Sequence, residues 1–337
     1  MLAQDPGLCL FAGRGAQVLA ERVAHAMGRE VDPALVTTWT NGEIRAQLQT
    51  SVRGADVFIL QSFASEVNNR LMELLILVDA AVRASAGRVT VVAPYLPYSR
   101  QEKKVRGREP ISSKLVANLI VKSGAARVVS VELHEPAIQA FYDIPFDHLS
   151  ALGVLAEHLR ASGYEGKGAV VVAPDEGALE MAVEFAQMLE AGVAVVFKRH
   201  PDEAPEAVES IGFVGSVAGK KVVILDDMIL SGSTLINAAE MMLEKGAQEV
   251  TACVVHAILC GNAVERVAQS ALKALVITDS TNPIEAEQCP KIQVASIAPL
   301  LAEVVQRIHQ HQSVSAIMPR ELSRGGHPAA ILPEGGG

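Results

Sequence analysis

Short apolar runs alternate along the chain with segments whose apolar residues recur every three or four positions. LCLFAG (8–13) predicts a strand, because a short unbroken apolar run fits a strand buried on both faces. The next segment, through Gly28, places Val18, Leu19, Arg22, Val23 and Met27 at helical spacing. ADVFILQS (55–62) predicts another strand, NRLMELLILVDAAVRASAG (69–87) a helix closed by glycine, and RVTVVAPY (88–95) a strand. ISSKLVANLIVKSGA (111–125) predicts a helix with a serine cap and a terminal glycine. RVVSVELH (127–134) predicts a strand ending in polar groups.

The pattern then restarts. GAVVVAPDEG (168–177) predicts a strand running into an acidic turn, with a helix after it and a strand at VAVVFKRH (193–200). KKVVILDDMILSGSTL (220–235) predicts a strand, a polar loop and the start of a helix that ends at Lys245 and Gly246. Strands follow at EVTACVVHA (249–257) and ALVITDS (274–280), and an amphipathic helix at IAPLLAEVVQRIHQH (297–311). Residues 319–337 are rich in Gly and Pro, and disorder is expected there. This alternation predicts an α/β fold with mostly parallel sheets flanked by helices. The halves also resemble each other. Gly124 and Ala125 precede a strand, with His134 ten residues after the glycine; Gly246, Ala247 and His256 repeat that spacing. Val89 to Gly124 spans 35 residues and Val222 to Gly246 spans 24, so the first half carries about 11 extra residues, at YSRQEKKVRGRE (98–109). A duplicated fold in which one copy bears a basic loop is expected.

Length supports two such units: 337 residues suit two domains of roughly 150. The apolar share of 50% supplies the cores, and an aromatic share of 4% favours helix-flanked sheets over an aromatic-rich sandwich. The net charge of −9, from 29 basic and 38 acidic side chains, argues against a nucleic-acid or membrane-surface binder. Any phosphate-binding charge must therefore be local. No apolar stretch reaches the roughly 20 residues of a membrane span, and no basic segment leads into an apolar run at the N-terminus. A cytoplasmic protein is expected. Cys9, Cys253, Cys260 and Cys289 show no CxxC spacing, which excludes a zinc ribbon or thioredoxin motif.

The sharpest chemical signal is LDDMILSGST (225–234). It joins an apolar strand to a helix, where open parallel sheets bind ligands. Ser231, Gly232, Ser233 and Thr234 offer hydroxyls and backbone N–H groups to a phosphate at a helix N-terminus. Asp226 and Asp227 can accept from sugar hydroxyls or reach a metal; adjacent carboxylates after an apolar strand are costly unless used.

The loop resembles that of phosphoribosyltransferases. TNGEIRAQLQTSVRGADVFILQS, NNRLMELLILVDAA, PYSRQEKK, REPISSKLVANLI, ELHEPAIQAFYDIPFDHLSA, KIQV and HQSVSAI resemble the ribose-phosphate pyrophosphokinase family from about residue 8 to 318. The resemblance implies two phosphoribosyltransferase-like domains, placed here at 1–149 and 150–318. It also implies transfer of the β,γ-diphosphoryl group of ATP to the 1-hydroxyl of ribose 5-phosphate, with Mg²⁺. The family's adenine-holding segment matches Trp39, Asn41 and Glu43, and its nucleotide-binding pair matches Arg100 and Gln101. His134 and Asp175 match positions that hold Mg²⁺, and Asp175 has the oxygen donors this ion prefers. Lys198 matches a lysine that stabilises the transferring phosphoryl group. The family assembles as dimers that build hexamers, with an allosteric site between subunits; Ser51, Arg53, Ser313 and Ser315 match positions there. A homo-oligomer is expected.

The chain also departs from that family. Lys198 and Arg199 are followed by His200 where a second fixed cation is usual. Leu230 replaces an aspartate in the sugar-phosphate loop, and Ser233 a glycine. Glu176 and Glu180 add acid near the expected diphosphate. Three readings follow: a synthetase with a divergent site, a diphosphotransferase for another sugar phosphate, or a weakly active paralogue that regulates a synthetase by co-assembly.

Overall fold

The protein is described by a computed structural model covering residues 7–199, 210–283, 286 and 289–317. The expected strands form because runs such as Val170–Val172 and Val222–Leu225 can bury both faces of a parallel sheet. In the first half the order is β1 (Leu8–Ala12), α1 (Gln17–Ala26), β2 (Ala34–Thr38), β3 (Ile44–Leu48), β4 (Asp56–Leu60), α2 (Val67–Arg83), β5 (Arg88–Val92), α3 (Ser112–Lys122), β6 (Arg127–Val131) and β7 (Phe146–Leu149). Strands β1-β4-β5-β6-β7 make a five-stranded sheet, parallel throughout, while β2 and β3 pair as a separate antiparallel hairpin.

The second half opens with α4 (Leu152–Ala161), β8 (Ala169–Ala173), α5 (Leu179–Met188), β9 (Gly192–Arg199), β10 (Ser210–Val214) and β11 (Lys221–Ile229). It continues through α6 (Ser233–Glu244), β12 (Glu249–Ala257), α7 (Ala263–Gln269), β13 (Ala274–Thr278), β14 (Ile292–Ala295) and α8 (Ala298–His309). Its seven strands lie in the order β10-β9-β8-β11-β12-β13-β14, and β10 alone runs antiparallel to its neighbour. Strands β4-β5-β6-β7 and β8-β11-β12-β13 occupy the same order in their sheets, as a duplicated fold requires. The outer neighbours differ: β1 precedes β4 in the chain, whereas β9 follows β8.

Several boundaries differ from the sequence expectation. Helix α2 stops at Arg83, and Ser85, not Gly87, adopts the left-handed conformation (φ 66°). Gly87 serves a close approach instead, since a Cβ there would lie 2.7 Å from the Gly54 carbonyl oxygen. Helix α3 has no serine cap; Ile111 takes the N-cap position and Ser112 is already helical. Strand β6 ends at Val131 because Glu132 turns left-handed (φ 39°). The stretch around Trp39 is a hairpin turn. The disorder expected for 319–337 lies outside the described residues.

A buried polar cluster fixes the end of β1. Glu73 of α2 is fully buried, and its carboxylate accepts from the Arg14 Nε (2.6 Å) and the Gln61 Nε2 (2.9 Å). Arg14 in turn donates to Thr38 Oγ1 at 3.1 Å and so holds the β2–β3 hairpin. Gly15 is needed beside it, because a Cβ would sit 2.3 Å from the Ser62 carbonyl oxygen.

The halves are joined by polar bonds as well as by apolar packing. Arg22 of α1 pairs with the buried Asp279 (3.0 Å), and Ser62 Oγ donates to the Ser280 carbonyl (2.9 Å). Arg88 donates to Asp56 and to the Ile308 carbonyl, and His309 meets Asp56 at 3.0 Å. His256, fully buried on β12, donates from Nε2 to the carbonyls of Val131 (3.1 Å) and Glu132 (2.8 Å), while Nδ1 faces Ser280 Oγ (2.9 Å). Burial holds its imidazolium pKa below the ordinary 6.5, against those two carbonyls and the Asp227 charge. A depressed histidine stabilises the fold fully above its unfolded value and loses that contribution as pH falls. Unfolding free energy is therefore expected to drop below pH 6.5, and chemical denaturation of His256→Asn should show a flatter pH dependence there; an unchanged slope would remove His256 as the cause.

Candidate active site

The carboxyl ends of β6 and β11 approach each other, since His134 beyond β6 contacts Asp227 of β11. Strand β11 outruns β8: its pairing with β8 stops at Ile224, while pairing with β12 continues to Ile229. Asp226 and Asp227 thus lie on the strand rather than in the loop expected from sequence, and they point chemistry beyond the edge of β8. The turn at Leu230–Gly232 is short because Gly232 takes φ 77° and caps α6 directly. Ser231 and Ser233 hydroxyls lie 3.0 Å apart at its first turn.

From the first half, His134 reaches across to Asp227, with Nδ1 2.6 Å from Oδ2. The hydrogen bond to Asp227, opposed by burial, raises the imidazolium pKa above its usual value. Burial pushes Asp227 up, but the His134 hydrogen bond and charge outweigh it, and its carboxyl falls below the usual range. Asp226 moves the other way, raised by burial, then by Asp227 and by Asp175. Asp175 is exposed in the turn after β8 and accepts from the Ala178 N–H at 3.2 Å. His134, Asp226 and Asp227 are therefore brought together, and the charge of Asp175 is felt at Asp226; among the described residues no three His, Cys, Asp or Glu side chains are grouped closely enough to hold a metal ion. Behind them, burial lifts Glu132 to about 7, although its carboxylate accepts from Ala151 N and Ser150 Oγ.

Tyr95, a residue that the sequence reading did not single out, lies between the 98–109 loop and the second half. Tyr95 packs on His256 with ring centroids 5.1 Å apart. Burial raises its phenol, Ser99 and Arg100 oppose that, and Asp227 and Cys260 add to it. One phenol thus feels both the guanidinium of the 98–109 loop and the carboxylate of the other half. Gln101 is tied into the same loop by its N–H to the Tyr98 carbonyl (3.0 Å). The loop's charge is partly neutralised within the chain: Lys103 pairs with Glu102 (2.9 Å) and Glu135 (3.5 Å).

Other expected residues stand apart. Trp39, Asn41 and Glu43 form the exposed turn between β2 and β3, where Gly42 has φ 92° and Asn41 Oδ1 accepts from the Glu43 N–H (3.1 Å). Trp39 is 52% exposed, and Arg45 lies 5.0 Å from its ring centroid. This turn shares no hydrogen bond or ion pair with Arg100 or Gln101 among the described residues. Lys198 and Arg199 are in β9, paired with Ile211 and Ser210 of β10, so the strand continues one residue past Lys198. His200 lies outside the described residues. Glu176 and Glu180 are exposed near Asp175, and Leu230 gives its carbonyl to the Cys260 N–H (2.9 Å). Ser313 and Ser315 hydroxyls meet at 2.9 Å, and Ser315 lines a cavity of about 580 Å³ with Arg88 and Arg127. Ser51 and Arg53 are exposed ahead of β4 and do not line it. No helix among the described residues is long and apolar enough to cross a membrane.

A family model for the N-terminal domain of ribose phosphate pyrophosphokinase matches residues 8–124, and one for the phosphoribosyl synthetase-associated domain matches 197–319. The ribose-phosphate pyrophosphokinase of Bacillus caldolyticus is 42% identical over 310 residues, covering 92% of this chain and 97% of that one. That of Bacillus subtilis is 40% identical over 311 residues, covering 92% and 97%. The crystal structure of phosphoribosylpyrophosphate synthetase from Mycobacterium smegmatis superposes with a TM-score of 0.84 at 38% identity, over 90% of this chain and 99% of that one. The paired sheets, the strand-borne carboxylates and the cross-junction histidine thus occur in a chain whose likeness to these enzymes runs nearly end to end, and the chain belongs to the ribose-phosphate pyrophosphokinase family.

Proposed function

We propose that this protein makes phosphoribosyl pyrophosphate, transferring the β,γ-diphosphoryl group of ATP to the 1-hydroxyl of ribose 5-phosphate and releasing AMP. The ribose 1-oxygen forms a bond to the β-phosphorus and releases its hydroxyl proton to water, the bond from that phosphorus to the α,β-bridging oxygen breaks, and AMP leaves with the electron pair. The observation that carries this reading is the His134–Asp227 contact, which assembles one site from both halves beside the 226–234 loop. ATP is assigned to Trp39, Asn41, Glu43, Arg100 and Gln101, and the sugar phosphate to Asp226, Asp227 and Ser231–Thr234. Lys198 and Arg199, with His200, are assigned to the transferring group. Domain limits at 149 and 150, a cytoplasmic location and a dimer-based homo-oligomer belong to the same reading, as does a regulatory site around Ser313 and Ser315.

Mg²⁺ belongs to the same reading, because Asp175 has the oxygen donors that this ion prefers. Asp175 raises the pKa of Asp226, so like charges converge where a cation would relieve them. With Nδ1 engaged by Asp227, the His134 ring offers Nε2, an arrangement that orients metal-ligating histidines. Asp175 and His134 would hold the ion, which shields phosphate charge and leaves room for waters and phosphate oxygens. The chain's own residues set the geometry: Arg100 meets nucleotide phosphates, and the carboxylates of β11 fix the sugar.

AMP release measured with a panel of sugar phosphates tests the reading. Activity with ribose 5-phosphate well above that with the others is expected. Turnover only with a different sugar phosphate would replace the substrate, a reading that Leu230 favours because its side chain cannot bond a ribose hydroxyl. ATP binding without any AMP release would favour a regulatory paralogue that co-assembles with a second synthetase.

A further inference from the structure

We propose that Arg266, oriented by Ser233, binds the phosphate group of the sugar substrate; this rests on the function proposed above and adds a residue to its site. Helix α7 is built against the sugar-phosphate loop. Ile258 and Leu259 N–H groups both donate to the Ile229 carbonyl (3.0 and 3.2 Å), and Cys260 N–H donates to the Leu230 carbonyl (2.9 Å). These bonds fix where α7 starts. Its Val267 lies over Gly232, where a Cβ would be 4.0 Å from Val267 Cγ2. One residue earlier, Arg266 Nη1 donates to Ser233 Oγ at 2.9 Å, and Ser233 Oγ is 3.0 Å from Ser231 Oγ.

A phosphate monoester seated at this turn meets backbone N–H groups, two serine hydroxyls and the partial positive charge of α6, roughly half an elementary charge. Asp227 stands on the same strand, a few residues back, and opposes it. A full positive charge is needed to hold a dianion there. Arg266 supplies that charge while spending a single N–H on Ser233. The rest of its planar fork remains for bidentate contact with phosphate oxygens. Ser233 is thus more than a phosphate donor: its oxygen accepts from the guanidinium and sets its direction. A glycine at position 233 would leave Arg266 without that partner.

The test uses the full chain and compares Arg266→Ala, Arg266→Lys and Ser233→Gly with the parent for turnover of ribose 5-phosphate and of unphosphorylated ribose. Arg266→Ala should raise KM for ribose 5-phosphate about tenfold, a loss typical of one charge-assisted pair, with KM for ATP changed less than about twofold. The preference for ribose 5-phosphate over ribose should fall by the same factor, and Arg266→Lys should restore part of it. Ser233→Gly should give a smaller rise and add little on top of Arg266→Ala. Equal losses for both substrates, or an unchanged preference for the phosphorylated sugar, would overturn the assignment. If the parent releases no AMP from ribose 5-phosphate, the functional reading fails by itself. The role of Arg266 is then read from calorimetry of ribose 5-phosphate with inorganic phosphate as competitor. Tenfold weaker binding in Arg266→Ala supports it, and equal binding rejects it.

Discussion

Asp227→Asn is expected to lower kcat/KM about 100-fold, or roughly 2.7 kcal/mol of transition-state stabilisation. Asparagine keeps the shape of the side chain and loses its charge. The 2.6 Å contact with His134 then becomes a neutral hydrogen bond, and the histidine is no longer held in one orientation. Because His134 comes from the first sheet and Asp227 from the second, the change acts on the junction as well as on local charge. The Mg²⁺ concentration for half-maximal activity should rise in the same variant. Combining it with His134→Ala should cost far less than the two separate losses added together, since both remove one contact. Activity within about threefold of the parent, or simple additivity, would place the pair outside the working site.

Glu73→Ala should cost about 3–5 kcal/mol of stability, the range for removing one partner of a buried ion pair. The carboxylate is fully buried and is shared among Arg14, Arg70 and Gln61. Its loss leaves two guanidinium groups and an amide without their common acceptor, in a place where Gly15 leaves no slack for rearrangement. Denaturant midpoints read the effect directly. A loss below about 1 kcal/mol would mean that water replaces the carboxylate at little cost. Arg14 also holds Thr38, next to the Trp39 turn, so the variant should show a raised KM for ATP even where it remains folded.

Much of the fold was legible because buried parallel strands write themselves as unbroken Val, Ile and Leu runs. The hairpin of β2 and β3 was not, since ALVTT and IRAQL are half-exposed and carry no such run. Its signal was Asn41-Gly42, a pair suited to the positive φ that a tight turn requires. The extent of β11 was hidden for a related reason: two aspartates look like the end of a strand, yet its pairing with β12 runs on to Ile229, past the edge of β8. At the site, motifs pointed to His134, Asp226 and Asp227, which the fold places side by side. Tyr95 and Arg266 carried no such motif, because what singles them out is what folding places beside them. No spacing rule connects Arg266 to Ser233, 33 positions away.

The two histidines at matched positions of the repeat have taken opposite duties. His134 reaches from the first copy to a carboxylate of the second, and His256 reaches from the second copy to backbone carbonyls of the first. Each copy therefore completes the other. A lone copy would lose one member of the acid–imidazole pair and expose a histidine or carbonyls made for its twin.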